Sequence, residues 1–301
     1  MKELFITKRF GASALAMIET INAILDSYEA QGYDLSLRQL YYQLVARNIV
    51  PNTEKSYKNV GNLVSDARLA GLIDWDMIRD RGRVMIENSH WDSPAEIVRA
   101  AANSFRVDRW ADQPNYVEVM VEKQALEGVL VPVCSELDVP FTANKGYSSS
   151  SAMYEAGKRF IRRSEEGKEL YVIYLGDHDP SGIDMSRDVG ERMDLFLDIG
   201  PNDLGGVNLH RVALNMNQVR ELNPPENPAK ITDSRARSYI SRFGQSSWEL
   251  DAIEPSALAN LVRQAVTKLI DKKKWAASGK RQQEMRDELN DYADNYGSNG
   301  K

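Results

Sequence analysis

Three stretches in the first quarter of the chain carry apolar residues at the spacing of α-helices. Between residues 10 and 28 the apolar positions recur every three or four residues, which is the period of one helix face. In the stretch "SLRQLYYQLVARN", Ser36 and Gln39 have the spacing of a capping box and mark the start of a second helix. A third helix is predicted to begin after Thr53 and to end at Gly71.

A short hairpin is predicted directly after the third helix. The stretch "LIDWDMIRDRGRVMIE" is typical of two short strands around a turn at residues 80–82. Three helices followed by a small hairpin form the outline of a winged helix-turn-helix domain. We therefore predict a CAP-like winged-helix DNA-binding domain, with an N-terminal helix and a linker, over residues 1–110.

Alternating strands and helices characterise the rest of the chain. The stretches "YVEVMVE", "VPFTAN", "LYVIYLG" and "LHRVALN" are predicted strands, and helical patterns separate them. This alternation predicts an α/β fold with a Rossmann-like, mainly parallel sheet covered on both faces. An amphipathic helix follows at about residues 258–270. The second domain is therefore predicted to span residues 111–301, with a C-terminal helical extension.

Composition narrows the classes of protein to consider. The 301 residues are 42% hydrophobic and 27% charged, as in an ordinary globular protein. No stretch approaches the ~20 apolar residues of a membrane helix, and the single cysteine, Cys134, excludes an internal disulfide framework and a cysteine-based zinc site. The cytoplasm is therefore the expected location, at the nucleoid if the protein is cellular. The net charge of −6 argues against a protein that simply coats nucleic acid.

Three acidic residues are expected to meet at one edge of the predicted sheet. Glu122 ends the first strand, Asp177 ends the third, and Asp179 follows two residues later. Ligands of open parallel sheets bind outside the carboxyl ends of the strands, and three unpaired carboxylates there would repel one another. A hard divalent cation removes that repulsion, and Mg²⁺ prefers carboxylate oxygens. The spacing alone gives equal weight to this metal site and to a simple turn shaped by the two aspartates.

The motifs around these acids resemble a known enzyme family. "VEKQAL", "NKGYSSS" and "YLGDHDPSGIDM" resemble the toprim domain, whose pattern is a glutamate after one strand and Asp-x-Asp after a later one. The Asp-x-Asp-Pro-x-Gly form resembles, more narrowly, the A subunit of topoisomerase VI and its relative, the meiotic double-strand-break transesterase. The resemblance covers about residues 35–253, and the short chain is most similar to the compact, stand-alone Mini-A relatives.

The resemblance implies a Mg²⁺-dependent DNA-cleaving activity, with Mn²⁺ as a substitute metal. It implies that the three acids bind the metal, and that Tyr42 in "LRQLYYQL" attacks a DNA phosphodiester and remains as a 5′-phosphotyrosine. Arg38 and Arg68 match family arginines near the scissile phosphate. Double-stranded DNA is the implied partner, and a homodimer would pair each tyrosine with the metal of the other copy. A separate ATPase subunit accompanies some relatives, and the chain itself carries no Walker-type phosphate-binding loop.

Helical geometry independently distinguishes the two adjacent tyrosines. Tyr41 lies on the apolar stripe of Leu40 and Leu44 and is expected in the core. Tyr42 follows Arg38 by four residues, so the two side chains are expected to be neighbours. At neutral pH a tyrosine with a pKa of ~10 lies about 4 kcal/mol from its phenolate, and a nearby guanidinium would reduce that gap. Without the resemblance, Tyr42 would be interpreted as an ordinary surface tyrosine.

Candidate DNA contacts are the basic side chains of the predicted recognition helix, the wing and the C-terminal helix. They are Lys55, Lys58, Arg79, Arg81, Arg83, Lys273 and Lys274. Nearby acidic residues almost cancel the charge of the recognition helix and wing, so counterion release there is expected to be modest. Two neighbours of the acids are given structural roles: Lys123 is expected to be a surface lysine, and His178 to point away from the aspartates.

Two alternative functions remain open. A nuclease would use the same metal site to hydrolyse DNA and would leave free ends, without a tyrosine adduct. A non-catalytic DNA-binding protein would keep the fold as a scaffold and would retain DNA without cutting it.

Overall fold

An α/β fold is built around a four-stranded parallel sheet. The structure is a computed structural model, and it describes residues 2–78, 88–144, 146–197 and 206–296. Eleven α-helices and six strands lie within those ranges. None of the helices in them is both long and apolar enough to cross a membrane.

The three helices predicted at the start of the chain are confirmed. They are α1 (Ala12–Glu29), α2 (Leu37–Ala46) and α3 (Glu54–Leu69). The Ser36 hydroxyl accepts a hydrogen bond from the Gln39 amide at 3.2 Å, and the Gln39 side chain accepts one from the Ser36 amide at 2.8 Å, which completes the capping box of α2. Thr53 caps α3 in the same way, through the Ser56 amide at 3.1 Å. The buried faces of the three helices share one core that includes Ile21, Leu25, Tyr28, Leu40, Leu44 and Val64.

The predicted hairpin of the wing falls largely outside the described residues. Its turn and second strand, together with Arg79, Arg81 and Arg83, lie in the undescribed range 79–87. Residues 72–78 form no strand, and their only β-type pairing among the described residues is a single bridge between Ile78 and Leu35.

Four parallel strands form the central sheet. They are β1 (Asn115–Val121), β2 (Phe141–Ala143), β3 (Glu169–Leu175) and β4 (Asn208–Ala213), in the order β2-β1-β3-β4. Val119 of β1 lies beside Phe141 on one side and beside Ile173 on the other. Because the chain moves outward from β1 in one direction and from β3 in the other, the topological switch point lies between these two strands.

Helices cover both faces of the sheet. The helices after α3 are α4 (Pro94–Ser104), α5 (Glu127–Glu136), α6 (Ser150–Glu165), α7 (Pro180–Phe196), α8 (Met216–Leu222), α9 (Ala236–Phe243), α10 (Pro255–Thr267) and α11 (Lys272–Asp294). Val117, Val119 and Val121 of β1 pack in one core with α5 and α10. Tyr116 and Met120 pack in a second core with α6 and α7. Alternate residues of β1 therefore serve two cores, as in a strand that is buried on both faces.

A segment that no sequence pattern predicted packs beside the loop after β3. It consists of β5 (Glu226–Pro228), α9 and β6 (Ser246–Trp248), and β5 pairs with β6 in the antiparallel direction. Two backbone hydrogen bonds, of 2.8 and 3.0 Å, join Trp248 to His178, which lies between the two predicted aspartates. The segment therefore places the residues after Trp248 beside the carboxyl ends of the strands.

The two parts of the chain share contacts near this segment. Ala252 packs into the core of the N-terminal helices, and the Tyr28 hydroxyl donates a 2.5 Å hydrogen bond to Glu254. Arg99 of α4 lies 2.8 Å from Asp294 of α11. The division of the chain at residues 110 and 111 stays a prediction.

Candidate active site

The ends of β1 and β3 bring the three predicted acids into one cavity. Glu122 directly follows β1, Asp177 follows β3 by two residues, and Asp179 directly precedes α7. All three line a cavity of about 550 Å³, which we call the acidic cavity. It lies at the topological switch point, where open α/β sheets bind their ligands.

Glu122 is buried and held against the loop that follows β3. Its Oε2 accepts a hydrogen bond from the Asp177 amide at 2.9 Å. Gly176 and Gly182 permit this approach, because a Cβ on either residue would lie 2.9 Å from Oε2, well inside normal van der Waals contact. Burial raises the pKa of Glu122, although the Asp177 amide and Lys123 act in the opposite direction.

Both carboxylate oxygens of Asp177 are engaged. Oδ1 accepts a hydrogen bond from the Leu250 amide at 2.7 Å, and Oδ2 lies 2.7 Å from Lys123 Nζ. Burial raises the pKa of Asp177 to about 7, even though Lys123 acts to lower it. A bound cation would favour the ionised carboxylate.

Asp179 forms the turn that the sequence suggested and keeps one oxygen available. Its Oδ1 accepts hydrogen bonds from the Gly182 amide at 2.6 Å and from the Ser181 hydroxyl at 3.0 Å, and it thereby caps α7. Oδ2 has no hydrogen-bond partner among the described residues. The turn and the metal interpretation are therefore compatible at this position.

Two further carboxylates, missed by sequence reasoning, line the same cavity. Glu249 and Asp251 lie in the stretch "SWELDAI" directly after β6. Lys123 Nζ lies 2.5 Å from Glu249 Oε2 and 3.2 Å from Asp251 Oδ2. The Lys123 side chain is only 18% exposed, so the expectation of a surface lysine is wrong. Burial alone would lower the pKa of Lys123, but Asp177 and the two new carboxylates outweigh burial and raise it.

A recognisable signal marked these two acids. Glu249 and Asp251 are two residues apart, as Asp177 and Asp179 are, and Glu249 directly follows β6. β5 and β6 are only three residues long, which is too short for a periodic pattern to indicate.

Arg38 connects α2 to this group of charges. Its Nη2 lies 2.5 Å from Glu249 Oε2, and its Nε lies 2.9 Å from Asp251 Oδ2. Glu249 therefore bridges Arg38 and Lys123. Burial alone would raise the pKa of Glu249, but these two cations lower it to about 2.

Tyr42 lines the acidic cavity beside Arg38. The guanidinium carbon of Arg38 lies 5.7 Å from the centre of the Tyr42 ring. Tyr42 is only 5% exposed, so its interpretation as a surface tyrosine is wrong. Burial and Glu249 raise the pKa of Tyr42 to about 12 despite Arg38, which places the phenolate about 7 kcal/mol away at pH 7. Tyr41 lies in the core, and its hydroxyl donates to the Pro51 carbonyl at 3.1 Å.

Arg211 is a third residue that sequence reasoning missed. From β4 its guanidinium donates to the Gly176 carbonyl at 3.0 Å, to the Asp177 carbonyl at 2.5 Å and to the Gly182 carbonyl at 3.0 Å. These bonds tie the loop after β3 to the first turn of α7. Arg211 therefore fixes the backbone that carries the acids.

His178 points away from the acidic cavity. Its Nδ1 lies 2.8 Å from the Tyr239 hydroxyl, and its ring packs edge-on against Phe243 and Trp248. Burial, with Arg211 nearby, lowers the pKa of His178 to about 4, so the ring is neutral at pH 7. It supports the segment that carries α9.

The acidic cavity is not lined by Arg68, nor by the basic candidates Lys55, Lys58, Lys273 and Lys274. The Arg68 guanidinium donates to the Trp75 and Ile78 carbonyls, the latter at 2.5 Å, and lies 4.7 Å from the Trp75 ring centre. Arg68 thus joins α3 to the residues that follow it. The basic candidates Lys55, Lys58, Lys273 and Lys274 are exposed, and Lys58 pairs with Glu54 at 2.7 Å.

The side chains of the cavity suit a hard cation in their chemistry. Among the described residues, no three acidic, histidine or cysteine side chains are gathered closely enough to form a ready metal site. The three predicted acids nevertheless offer the oxygen ligands that Mg²⁺ prefers. Asp251 Oδ1 is a buried oxygen that has no hydrogen-bond partner in the ranges that the structure describes. Lys123 supplies the positive charge beside Asp177. In the structure this lysine occupies the Asp177 oxygen that a cation would need.

Comparison with known proteins assigns the chain to no family. No protein-family model and no curated protein matches the chain. The class that fold and cavity define is an α/β protein with a carboxylate-rich cavity at the switch point of its sheet. The resemblance to the topoisomerase VI A subunit stays a prediction carried by the motifs.

Proposed function

We propose that the chain is a Mg²⁺-dependent DNA-cleaving protein that forms a transient 5′-phosphotyrosyl link through Tyr42. The observation that carries the proposal is that Tyr42 and Arg38, from the N-terminal helices, line the same cavity as Glu122, Asp177 and Asp179. A nucleophile, a guanidinium and oxygen ligands for a metal are the parts that such a reaction needs.

Each of these residues has a defined task in the proposed reaction. The Tyr42 oxygen forms a bond to phosphorus, the bond from phosphorus to the 3′ oxygen breaks, and the phenolic proton ends on that 3′ oxygen. Arg38 would contact the phosphate oxygens, for which it must exchange its contact with Glu249. The three acids would hold Mg²⁺, or Mn²⁺ in its place. The metal would neutralise charge on the phosphate oxygens when bound.

A second candidate function is hydrolysis at the same metal site without a tyrosine adduct. The raised pKa of Tyr42, about 12, favours it, because a buried neutral phenol is a poor nucleophile. The products distinguish the two functions, since hydrolysis leaves free DNA ends.

The test is cleavage of supercoiled DNA with Mg²⁺ or Mn²⁺, quenched with detergent and analysed with and without protease. We expect protein joined to DNA 5′ ends, lost in Tyr42→Phe and in Asp179→Asn. Tyr57→Phe is the matched control, because it removes a phenol from α3 that does not line the acidic cavity. Cleavage to free ends by Tyr42→Phe would establish hydrolysis instead. DNA retention without any cleavage would establish a non-catalytic binding protein.

We also propose a homodimer that acts on double-stranded DNA. The resemblance implies that each tyrosine works with the metal of the other copy, whereas Tyr42 lines the cavity of its own chain. Mixing Tyr42→Phe chains with Asp179→Asn chains distinguishes the two arrangements. Restored cleavage in the mixture requires the tyrosine and the metal to come from different copies, and we expect no restoration.

The N-terminal helices are proposed to be a winged-helix unit that contacts DNA. The support is the three-helix core with α2 facing the acidic cavity. The proposal does not require a separate ATPase subunit, because the chain resembles stand-alone relatives, and the sequence carries no nucleotide-binding loop of its own. A DNA substrate would place the protein in the cytoplasm with the nucleoid.

A further inference from the structure

A second cavity lies at the start of α7, next to the acidic cavity. It has a volume of about 410 Å³, and Pro180 and Ile183 of α7 contribute to its wall. Three arginines, Arg187, Arg235 and Arg242, also line it, and we call it the arginine groove. Pro180 directly follows Asp179, which lines the acidic cavity. The two cavities therefore flank the first turn of the same helix.

The wall formed by α9 is anchored to the loop that carries the acids. The buried Tyr239 donates its hydroxyl hydrogen to the His178 carbonyl at 2.8 Å. Trp248, at the end of the same segment, pairs with the His178 backbone. Side chains of α9 are therefore held at a fixed position relative to Asp177 and Asp179.

Of the cations on the segment formed by β5, α9 and β6, Arg235 is paired with carboxylates, whereas Lys230, Arg237 and Arg242 have no carboxylate partner among the described residues. Arg187 and Arg235 share Asp184, at 2.7 and 3.1 Å. By contrast, within the described part of the chain Arg242 contacts only the face of Phe243, at 5.2 Å. Lys230, at the rim of the acidic cavity, is exposed and has no partner there. The charge of these two side chains is therefore available to an external anion.

The charge of the segment contrasts with that of the chain. Residues 226–248 contain four basic side chains, Lys230, Arg235, Arg237 and Arg242, against two acidic ones, Glu226 and Asp233. The whole chain has a net charge of −6. A local excess of positive charge beside a carboxylate-rich cavity is suited to a polyanion that extends past that cavity.

We propose that Lys230 and the arginine groove, with Arg242 as its free cation, bind the DNA phosphate backbone beside the scissile bond. This inference rests on the proposed function, because it takes DNA as the ligand of the acidic cavity. Phosphates beyond the cavity would meet unpaired cations, whereas those inside it meet carboxylates. The surface would supply affinity without sequence preference.

The experiment measures binding of a fluorescein-labelled DNA duplex by fluorescence anisotropy in EDTA, over a series of KCl concentrations. The test variant is the double substitution Lys230→Ala with Arg242→Ala. The matched control is Lys268→Ala with Arg106→Ala, which also removes one exposed lysine and one exposed arginine. Lys268 and Arg106 lie near the amino ends of the strands, because Leu269 bonds to Asn115 and Arg106 lines a cavity with Tyr116.

We expect the test variant to bind about tenfold more weakly or worse, and the slope of log affinity against log salt to fall in magnitude by about 2. The control should bind as the wild type does. Equal binding by the test variant and the wild type would overturn the inference, and so would a wild type that does not bind the duplex.

Cleavage of supercoiled DNA is measured separately on the same proteins. If the wild type binds through Lys230 and Arg242 yet never cleaves DNA with Mg²⁺ or Mn²⁺, the proposed cleavage is wrong and the binding surface stands. If the wild type cleaves DNA but the test variant binds normally, only the surface is wrong.

Discussion

Gly182→Ala tests whether the close packing around Glu122 holds the acidic cavity together. Gly182 lies in the first turn of α7, and a Cβ there would overlap the Asp177 carbonyl oxygen and lie 2.9 Å from Glu122 Oε2. The carbonyl cannot simply retreat, because Arg211 donates to it at 2.5 Å. Overpacking of a tight site costs about 1–3 kcal/mol, while alanine in a helix recovers at most about 1 kcal/mol. We expect the free energy of unfolding to fall by about 1–2 kcal/mol.

Gly190→Ala is the matched control on the same helix. The nearest heavy atom to a Cβ at Gly190 is Leu209 Cδ1 at 3.8 Å, an ordinary contact. The substitution is therefore expected to raise the free energy of unfolding by about 0.5–1 kcal/mol. Urea unfolding followed by far-UV circular dichroism measures both variants. A Gly182→Ala protein as stable as the wild type would refute the packing argument, because the loop would then have room that the structure denies.

Three further predictions concern buried ionisable groups. Glu249 has a pKa of about 2 in the folded protein and of about 4.3 in the unfolded chain. Its ionised carboxylate therefore stabilises the fold above pH ~4.3, and about 3 kcal/mol of this stabilisation is lost as the pH falls towards 2. Glu249→Gln should be less stable than the wild type at pH 7, and the two unfolding free energies should converge at acid pH. Lys123→Met should lower the free energy of unfolding by about 3–5 kcal/mol, because it leaves Asp177 buried without its cation. Mg²⁺ should then raise the melting temperature more than in the wild type. Burial raises the pKa of the Cys134 thiol to about 12, so a thiol reagent at pH 8 should leave it unmodified until urea unfolds the chain, and rapid native labelling would contradict the burial.

The parts of the fold that local patterns predict are those with local causes. The capping box of Ser36 and Gln39 starts α2 where the sequence indicates it, because both hydrogen bonds lie within one turn. The parallel strands follow from apolar runs separated by helical patterns. Glu122 and Asp177 reach one cavity because parallel strands present their carboxyl ends at one edge.

The environment of these acids could not be predicted, because distant segments create it. Lys123 is a buried cation only because the segment after β6 brings Glu249 to 2.5 Å. Tyr42 lies outside the apolar stripe of α2, so helical periodicity predicts that it is exposed. It is buried because Glu249 and Asn227 line the same cavity beside α2. The residues next to Lys123 and Tyr42 in the sequence give no indication of either contact.

The charges of the acidic cavity imply that, in the proposed DNA complex, binding and cleavage depend differently on a divalent cation. Among the described residues that line it, five carboxylates face three cations, and Glu249 with Asp251 already engages Arg38 and Lys123. A phosphate entering this cavity without added positive charge would be repelled. The unpaired cations Lys230, at the rim of this cavity, and Arg242, outside it, do not depend on metal. DNA should therefore bind in EDTA through the outer surface, whereas any cleavage should need the divalent cation that offsets the carboxylates.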